Sequence, residues 1–125
     1  MSKIVHTEFI SKDSKATADF VEKMFGWQIK KWDDPKGAYY LWNYPGQEMG
    51  GGGIGGVNEM SAFNMPHISI YIDVDNIAKS LEKAQSLGAK VVMGETAIGG
   101  GMGHFAIMSI PGGCNIGIWA QNPSK

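Results

Sequence analysis

The sequence predicts an α+β fold in which two βαβββ modules form a cleft between curved mixed sheets. A strand-like run that contains a histidine opens each half of the chain, at His6 and at His67. Each run is followed by a segment of helical periodicity that starts at an aspartate and stops at a glycine. The two segments, 13–26 and 75–88, have equal length, and the pattern returns at an offset of about 61–62 residues. This self-similarity indicates an internal duplication.

The first half begins with a strand over residues 3–10, whose alternation places His6 and Glu8 on the more polar face. A helix then starts with Asp13 as its N-cap and ends at Gly26. Its expected buried stripe consists of Thr17, Phe20, Val21 and Met24. Further strands are predicted at WQIKKWD, at AYYLWNY and in the glycine-rich stretch around Ile54.

The second half repeats this order within one predicted domain, residues 1–125. We expect repeat halves at about 1–57 and 66–122, with a connector at about 58–65. Isoleucines at 68, 70 and 72 alternate with the polar set His67, Ser69 and Tyr71. A helix capped by Asp75 and stopped at Gly88 follows, and AKVVM, HFAIMSI and NIGIWAQ supply three more strands.

Composition and charge argue against several classes of function. The formal net charge of −1 and a pI near 6.3 provide no basic field, so we expect no nucleic-acid partner. No stretch reaches the roughly 18 apolar residues of a membrane span, and no secretory signal is recognisable in the first ten residues. The single Cys114 excludes an intrachain disulfide and is typical of a reducing compartment, so a cytoplasmic location is expected. The glycine clusters at 50–56 and 99–103 match no phosphate-binding fingerprint.

Polar faces of the two opening strands are expected to line the cleft, because their apolar faces suit the helices. Twofold pseudosymmetry would bring His6 and His67 together, and Glu8 lies about 7 Å from His6 along the same strand face. The three side chains are the candidate catalytic set, for acid–base work or, with both histidines as ligands, for metal binding. The alternative interpretation is that the histidines are hydrogen-bonded without a metal and that Glu8 is hydrogen-bonded to a tyrosine or tryptophan.

Aromatic and polar side chains on the predicted cleft faces are candidates for contacting a ligand. Tyr40 and Trp42 alternate with Tyr39 and Leu41, so one face of that strand presents an aromatic pair. The ligand-binding candidates are Tyr40, Trp42, Ser69, Tyr71 and Trp119. The same aromatic residues would also serve as core filler or as a dimer contact. Gly117 and the glycine-rich fourth strand are expected to leave space at the floor of the cleft.

The chain resembles the vicinal oxygen chelate superfamily, which includes glyoxalase I, bleomycin-resistance proteins and extradiol dioxygenases. The segments that carry the resemblance are IVHTEF, FVEKMFGW, PHISIYIDVDNIAKSLEKAQSLGAKVV and HFAIMSIPGGCNIGIW. The resemblance implies the glyoxalase/bleomycin-resistance-like fold and metal-ligand positions at His6 and His67. It also implies a carboxylate or amide ligand from the last strand of each half, but this chain has Gly117 at that place in the second half and no Glu or Gln in the glycine-rich strand of the first. Two of four expected ligands are therefore present, fewer than the three protein ligands of typical catalytic metal sites.

Three functional hypotheses follow. The first is a glyoxalase-like protein that binds a small organic ligand in the cleft, with an incomplete metal site. The second is a metal-dependent lyase, isomerase or dioxygenase that uses a divalent ion, with Glu8 completing the site. The third is a non-catalytic protein that sequesters a drug or metabolite. A homodimer is a further implication of the resemblance.

Overall fold

The computed structural model describes residues 2–34, 37–46, 51–57 and 65–125. It divides into an N-terminal unit, His6–Ser69, and a C-terminal unit, Met1–Val5 with Ile70–Lys125. The elements of the first half are β1 (Ile4–Ser11), α1 (Ser14–Phe25), β2 (Gln28–Asp34), β3 (Gly37–Asn43) and β4 (Gly52–Gly56). Those of the second half are β5 (His67–Asp73), α2 (Ile77–Ser86), β6 (Lys90–Ala97), β7 (His104–Ser109) and β8 (Asn115–Ala120). The α+β class and the βαβββ order of both halves are confirmed.

Both units have the same strand topology. The order is β2-β3-β4-β1 in the N-terminal unit and β5-β8-β7-β6 in the C-terminal unit. The first strand of each half pairs in parallel with the last, β1 with β4 and β5 with β8, and the other pairings within a unit are antiparallel. A parallel pair requires a crossover, which the helix and the two intervening strands of each half supply. Most of the predicted connector, residues 58–64, lies outside the described residues.

Helix α1 begins and ends where the sequence predicts. The Asp13 side chain accepts a hydrogen bond from the Ala16 N–H, and Gly26 adopts the left-handed conformation at φ 74°. The predicted buried stripe is wrong at two positions, because Phe20 and Met24 are 60% and 64% exposed. The helix instead turns Ala18 and Val21 toward the sheet, and the small Ala18 lets the helix approach Trp42 closely.

The core of the N-terminal unit lies between α1 and one face of its sheet. Ala18, Val21, Trp42 and Ile54 are buried there, and Phe9, Trp27, Ile29 and Tyr40 pack around them. The indole rings of Trp27 and Trp42 are stacked with centroids 4.8 Å apart. Tyr40 and Trp42 of β3 are therefore both part of this helix-side core.

The C-terminal unit is built in the same way on α2. Ile77, Ala106, Met108, Ile118 and Ala120 form its buried core, with Leu81 and Ala84 of the helix packed against them. The predicted N-cap is one residue too early, since Asn76 rather than Asp75 accepts the hydrogen bond from the Lys79 N–H. Neither helix within the described ranges is long and apolar enough to cross a membrane.

Candidate functional site

The face of the N-terminal sheet that is turned away from α1 carries a buried carboxylate. Alternation along β1 sends Phe9 into the helix-side core and therefore sends Glu8 to the opposite face. The Glu8 side chain is only 6% exposed and is the single buried charged residue among the described ones. A carboxylate at such a position needs hydrogen-bond donors, because burial without them is costly.

A tyrosine from β3 supplies one of these donors. The Tyr39 Oη donates to Glu8 Oε2 at 2.7 Å, and His6 Nε2 lies 3.0 Å from the same Oη. A phenol has one hydrogen, so a hydroxyl that donates to Glu8 must accept from His6. His6 is therefore protonated at Nε2. The three side chains form one directed chain, from His6 through Tyr39 to Glu8.

The strand next to β1 leaves room for this arrangement. Gly53 of β4 pairs with Glu8 in the register of the parallel strands. A Cβ built at Gly53 would overlap the hydroxyl and ring carbons of Tyr39. The absence of a side chain at Gly53 is thus what allows the Tyr39 ring to lie across the strand and reach Glu8.

Burial of the imidazole lowers the pKa of His6 below its ordinary value of 6.5. The folded state therefore binds a proton at His6 less readily than the unfolded chain does. Neutral His6 is the form that predominates in the fold at pH 7. A neutral imidazole carries one ring hydrogen, which agrees with donation to the Tyr39 hydroxyl through Nε2.

We expect the His6 contribution to the free energy of unfolding to be fully present above pH 6.5. It should decrease as the pH falls through 6.5 toward the lower pKa of the folded state, since the unfolded chain takes up more protons there. The slope from one such group is at most about 1.4 kcal/mol per pH unit. Urea unfolding of the wild type and of His6→Gln between pH 5 and 8 measures it. Equal pH slopes in the two proteins would contradict the assignment.

In the C-terminal unit a second tyrosine ring lies over a strand glycine. Tyr71 of β5 pairs with Gly117 of β8, and a Cβ at Gly117 would overlap the Tyr71 ring. Tyr71 is 8% exposed and meets Phe105 edge to face at 6.1 Å. The expectation that Gly117 leaves open space is therefore wrong, because the Tyr71 ring fills it.

Trp119 lies on the same face of β8 as Gly117, but its indole is engaged by a neighbouring loop. Its Nε1 donates to the carbonyl oxygen of Met102 at 2.8 Å, and a Cβ at Gly103 would come within 2.7 Å of the same nitrogen. The close approach of the loop requires a glycine at position 103, where φ is 90°. Trp119 thus fixes the end of the loop that precedes β7.

Two of the predicted ligand-binding residues lie on the helix side of the sheet. Trp42 is 4% exposed within the core beneath α1, and Tyr40 packs against that core. Their strand partner Tyr39 is the residue that reaches Glu8. The sequence placed the correct strand in the site but assigned its two faces in reverse, because both faces of β3 carry aromatic residues.

His67 and Ser69 are partly buried on β5. The His67 Nδ1 lies 2.7 Å from the carbonyl oxygen of Met65, to which it must donate. This bond fixes the orientation of the His67 ring, as a hydrogen bond from the second ring nitrogen commonly does for metal-ligating histidines. His6 is in the opposite tautomer, so the two histidines are not equivalent in their hydrogen bonding.

The donors described here do not form a metal site. Within residues 2–34, 37–46, 51–57 and 65–125, no three His, Cys, Asp or Glu side chains are grouped to hold an ion. His6 Nε2 is 3.0 Å from the Tyr39 hydroxyl, and a ring that donates to this hydroxyl has no lone pair on Nε2. The alternative interpretation of Glu8, a carboxylate hydrogen-bonded to a tyrosine, is confirmed.

Tyr39 is the site residue that sequence reasoning missed. The available signal was the coincidence of an acidic residue on the opening strand with a tyrosine and a run of glycines on strands of the same half. A glycine beside a tyrosine indicates that a ring lies across the strand, but the sequence alone does not give the register that joins Gly53 to Glu8.

Comparison with known proteins identifies the family. The sequence profile of the Glyoxalase/Bleomycin resistance protein/Dioxygenase superfamily matches residues 3–117. No curated protein matches the sequence. Among solved structures, a methylmalonyl-CoA epimerase from Streptomyces coelicolor in complex with 2-nitronate-propionyl-CoA is similar, with a TM-score of 0.68 and 14% identity. The match covers 98% of this chain and 96% of the epimerase.

Two further structures share the fold. A superfamily member from Vibrio splendidus has a TM-score of 0.61 at 11% identity, over 96% of this chain and 99% of its own. The Mn(II)-bound glyoxalase from Novosphingobium aromaticivorans has a TM-score of 0.62 at 16% identity, over 95% of this chain and 38% of the glyoxalase. Identities this low establish the fold alone. By fold and by sequence profile, the chain belongs to the glyoxalase/bleomycin resistance protein/dioxygenase superfamily, the vicinal oxygen chelate proteins.

Proposed function

We propose that the protein binds a small organic ligand through the His6–Tyr39–Glu8 chain of its N-terminal unit. The observation that carries this proposal is the buried Glu8 carboxylate, 6% exposed and hydrogen-bonded to the Tyr39 hydroxyl. An apolar residue would pack at that position without the desolvation penalty of a carboxylate. Buried acids retained with polar partners are concentrated at functional sites.

The three side chains His6, Tyr39 and Glu8 have the donors and acceptors needed to recognise a hydrogen-bonding ligand and to transfer a proton. Glu8 is an acceptor, the Tyr39 hydroxyl is both donor and acceptor, and neutral His6 has one donating nitrogen and one basic nitrogen. His6 is partly exposed, so it is the member of the chain through which a ligand would make contact. An acid–base isomerase and a non-catalytic binding protein would both use this arrangement, and turnover of a bound ligand distinguishes them.

The metal-dependent alternative is less well supported by the described residues. A catalytic metal site typically has three protein ligands, and His6 together with either His67 or Glu8 would supply two. Among the described residues, no three His, Cys, Asp or Glu side chains are grouped to hold an ion. The Mn(II) of the glyoxalase from Novosphingobium aromaticivorans belongs to that protein, with which this chain shares 16% identity.

A thermal-shift screen of small metabolites, followed by calorimetry, tests the proposal with Tyr39→Phe as the probe. A ligand present at about 100 times its Kd should stabilise the wild type by about 2.7 kcal/mol. Removal of the hydroxyl deletes the hydrogen bond that holds the His6 ring in place for contact with a ligand, so binding should weaken by at most about 1 kcal/mol and Kd should rise by up to about 5-fold.

Tyr44→Phe is the matched control, because Tyr44 is 40% exposed and its ring packs against Trp27. The control should leave Kd unchanged. An equal effect of Tyr39→Phe and Tyr44→Phe on Kd would count against a binding site at the His6–Tyr39–Glu8 chain. So would binding that neither Tyr39→Phe nor Glu8→Gln weakens.

The family resemblance also implies a homodimer. Exposed Phe20, Met24 and Phe25 near the end of α1 support self-association as part of the proposal, since together they present an apolar patch. Sedimentation of the purified chain at several concentrations measures the oligomeric state directly.

A further inference from the structure

We infer that the Tyr39 hydroxyl takes the place of a cation between His6 and Glu8, and that this centre works without a divalent metal. The phenol oxygen lies 3.0 Å from the His6 nitrogen and 2.7 Å from the Glu8 oxygen, so it stands between the two groups that would otherwise both be donors to an ion. The inference concerns the side chains of the proposed site, and it holds independently of which organic ligand binds there.

In the His6–Tyr39–Glu8 chain, hydrogen atoms lie where a metal site would need lone pairs. A cation would take lone pairs from the imidazole and from the carboxylate. The phenol instead accepts the Nε2–H of His6 and donates its own hydrogen to Glu8. In this arrangement the Nε2 of His6 carries the hydrogen that it gives to Tyr39, at the nitrogen that would otherwise coordinate an ion.

The Tyr39 side chain that carries this hydroxyl is buried and closely packed. Tyr39 is 4% exposed, and its ring lies across Gly53, where any side chain would overlap it. The neighbouring Trp32 ring meets Tyr39 edge to face at 6.0 Å. A buried aromatic side chain has few rotamers, so the ring cannot swing aside to admit an ion without losing these contacts.

The C-terminal unit also has a tyrosine ring packed over a strand glycine. Tyr71 pairs with Gly117, and a Cβ at Gly117 would overlap the Tyr71 ring. In each unit, therefore, a tyrosine ring occupies a glycine position beside the first strand. The two observations are independent, because they concern different strands and different rings.

Long-range proton–nitrogen NMR on the ¹⁵N-labelled full chain tests the inference. The chain has three histidines, so His67→Gln and His104→Gln variants leave the His6 signals identified. We expect a neutral His6 protonated at Nε2, with the same signals after EDTA treatment and after addition of excess Zn²⁺ or Mg²⁺. Tyr39→Phe should move the His6 ring signals, and Tyr44→Phe should leave them in place.

Two outcomes would overturn the inference. One is saturable, stoichiometric Zn²⁺ binding in which His6 loses its Nε2 proton and which Glu8→Gln abolishes. The other is a His6 spectrum that Tyr39→Phe does not change, which would mean that the phenol does not accept from His6. Neither outcome depends on an organic ligand, so failure here is distinguishable from failure of the proposed binding function.

Discussion

Gly53→Ala should destabilise the protein by about 3 kcal/mol, more than a methyl group normally costs in a strand. The new Cβ would overlap the hydroxyl and ring carbons of Tyr39, which is itself buried. The ring must leave its position, and overpacking together with the loss of the bonds to Glu8 and His6 accounts for the penalty. Urea unfolding followed by circular dichroism measures the change.

Gly56→Ala is the matched control in the same strand, because a Cβ at Gly56 meets nothing within 4 Å. It should change stability by less than about 0.5 kcal/mol. In a double-mutant cycle, Tyr39→Ala should remove most of the Gly53→Ala penalty, since the clash partner is gone. Additive effects of the two substitutions would show that the ring of Tyr39 does not lie over Gly53.

Trp42→Ala should destabilise the protein by about 3–5 kcal/mol, as expected for truncation of a buried aromatic side chain. Trp42 is 4% exposed and stacks on Trp27, with the Phe9 ring 4.9 Å away on the helix side of the sheet. The cavity left by its indole would lie in the middle of the core beneath α1. Thermal and urea unfolding measure the loss.

Trp42→Phe separates this structural role from a role in ligand binding. It keeps an aromatic ring and removes an indole nitrogen that is buried without a hydrogen-bond partner within the described structure. The expected result is reduced stability with an unchanged Kd for any ligand found by the screen. A weaker Kd with unchanged stability would restore Trp42 to the ligand-binding set.

The fold was largely predictable because the periodicities are strong and occur twice. The strand alternation at residues 3–10, the cap at Asp13 and the stop at Gly26 are local signals, and each is confirmed in the structure. The errors at Phe20 and Met24 arise from packing, because helical spacing does not reveal which of two neighbouring stripes will face the sheet.

The candidate site was predicted in part. Alternation on β1 is sufficient to place His6 and Glu8 on the face away from the helix, and a buried carboxylate on a strand is expected to have a tyrosine or tryptophan as a hydrogen-bond donor, as Tyr39 is for Glu8. The identity of that tyrosine depends on the pairing of β1, β3 and β4, which brings residues 8, 39 and 53 together across the sheet. The sequence gives no direct sign of a contact between residues so far apart along the chain. Because both faces of β3 carry aromatic residues, it also does not show which face meets Glu8.

Family membership and the site carry different information about function. The superfamily assignment rests on residues 3–117 and fixes the fold, whereas related folds host unrelated chemistries. The proposed activity rests on three side chains and their hydrogen bonds. The roles of Ser69, Tyr71 and Trp119 in ligand binding stay predictions, which single substitutions in the binding assay would test. The role of His67 in catalysis or metal binding also stays a prediction.

A crystal structure of the wild-type protein would show whether the Tyr39 hydroxyl or a metal ion lies between His6 and Glu8. Diffraction data for it would be collected at the zinc and manganese absorption edges. We expect the Tyr39 oxygen to lie within hydrogen-bond distance of both His6 Nε2 and Glu8, with no anomalous density between His6 and Glu8. A Tyr39 ring turned away from Glu8, with an ordered ion bound by His6 and Glu8 in its place, would contradict it.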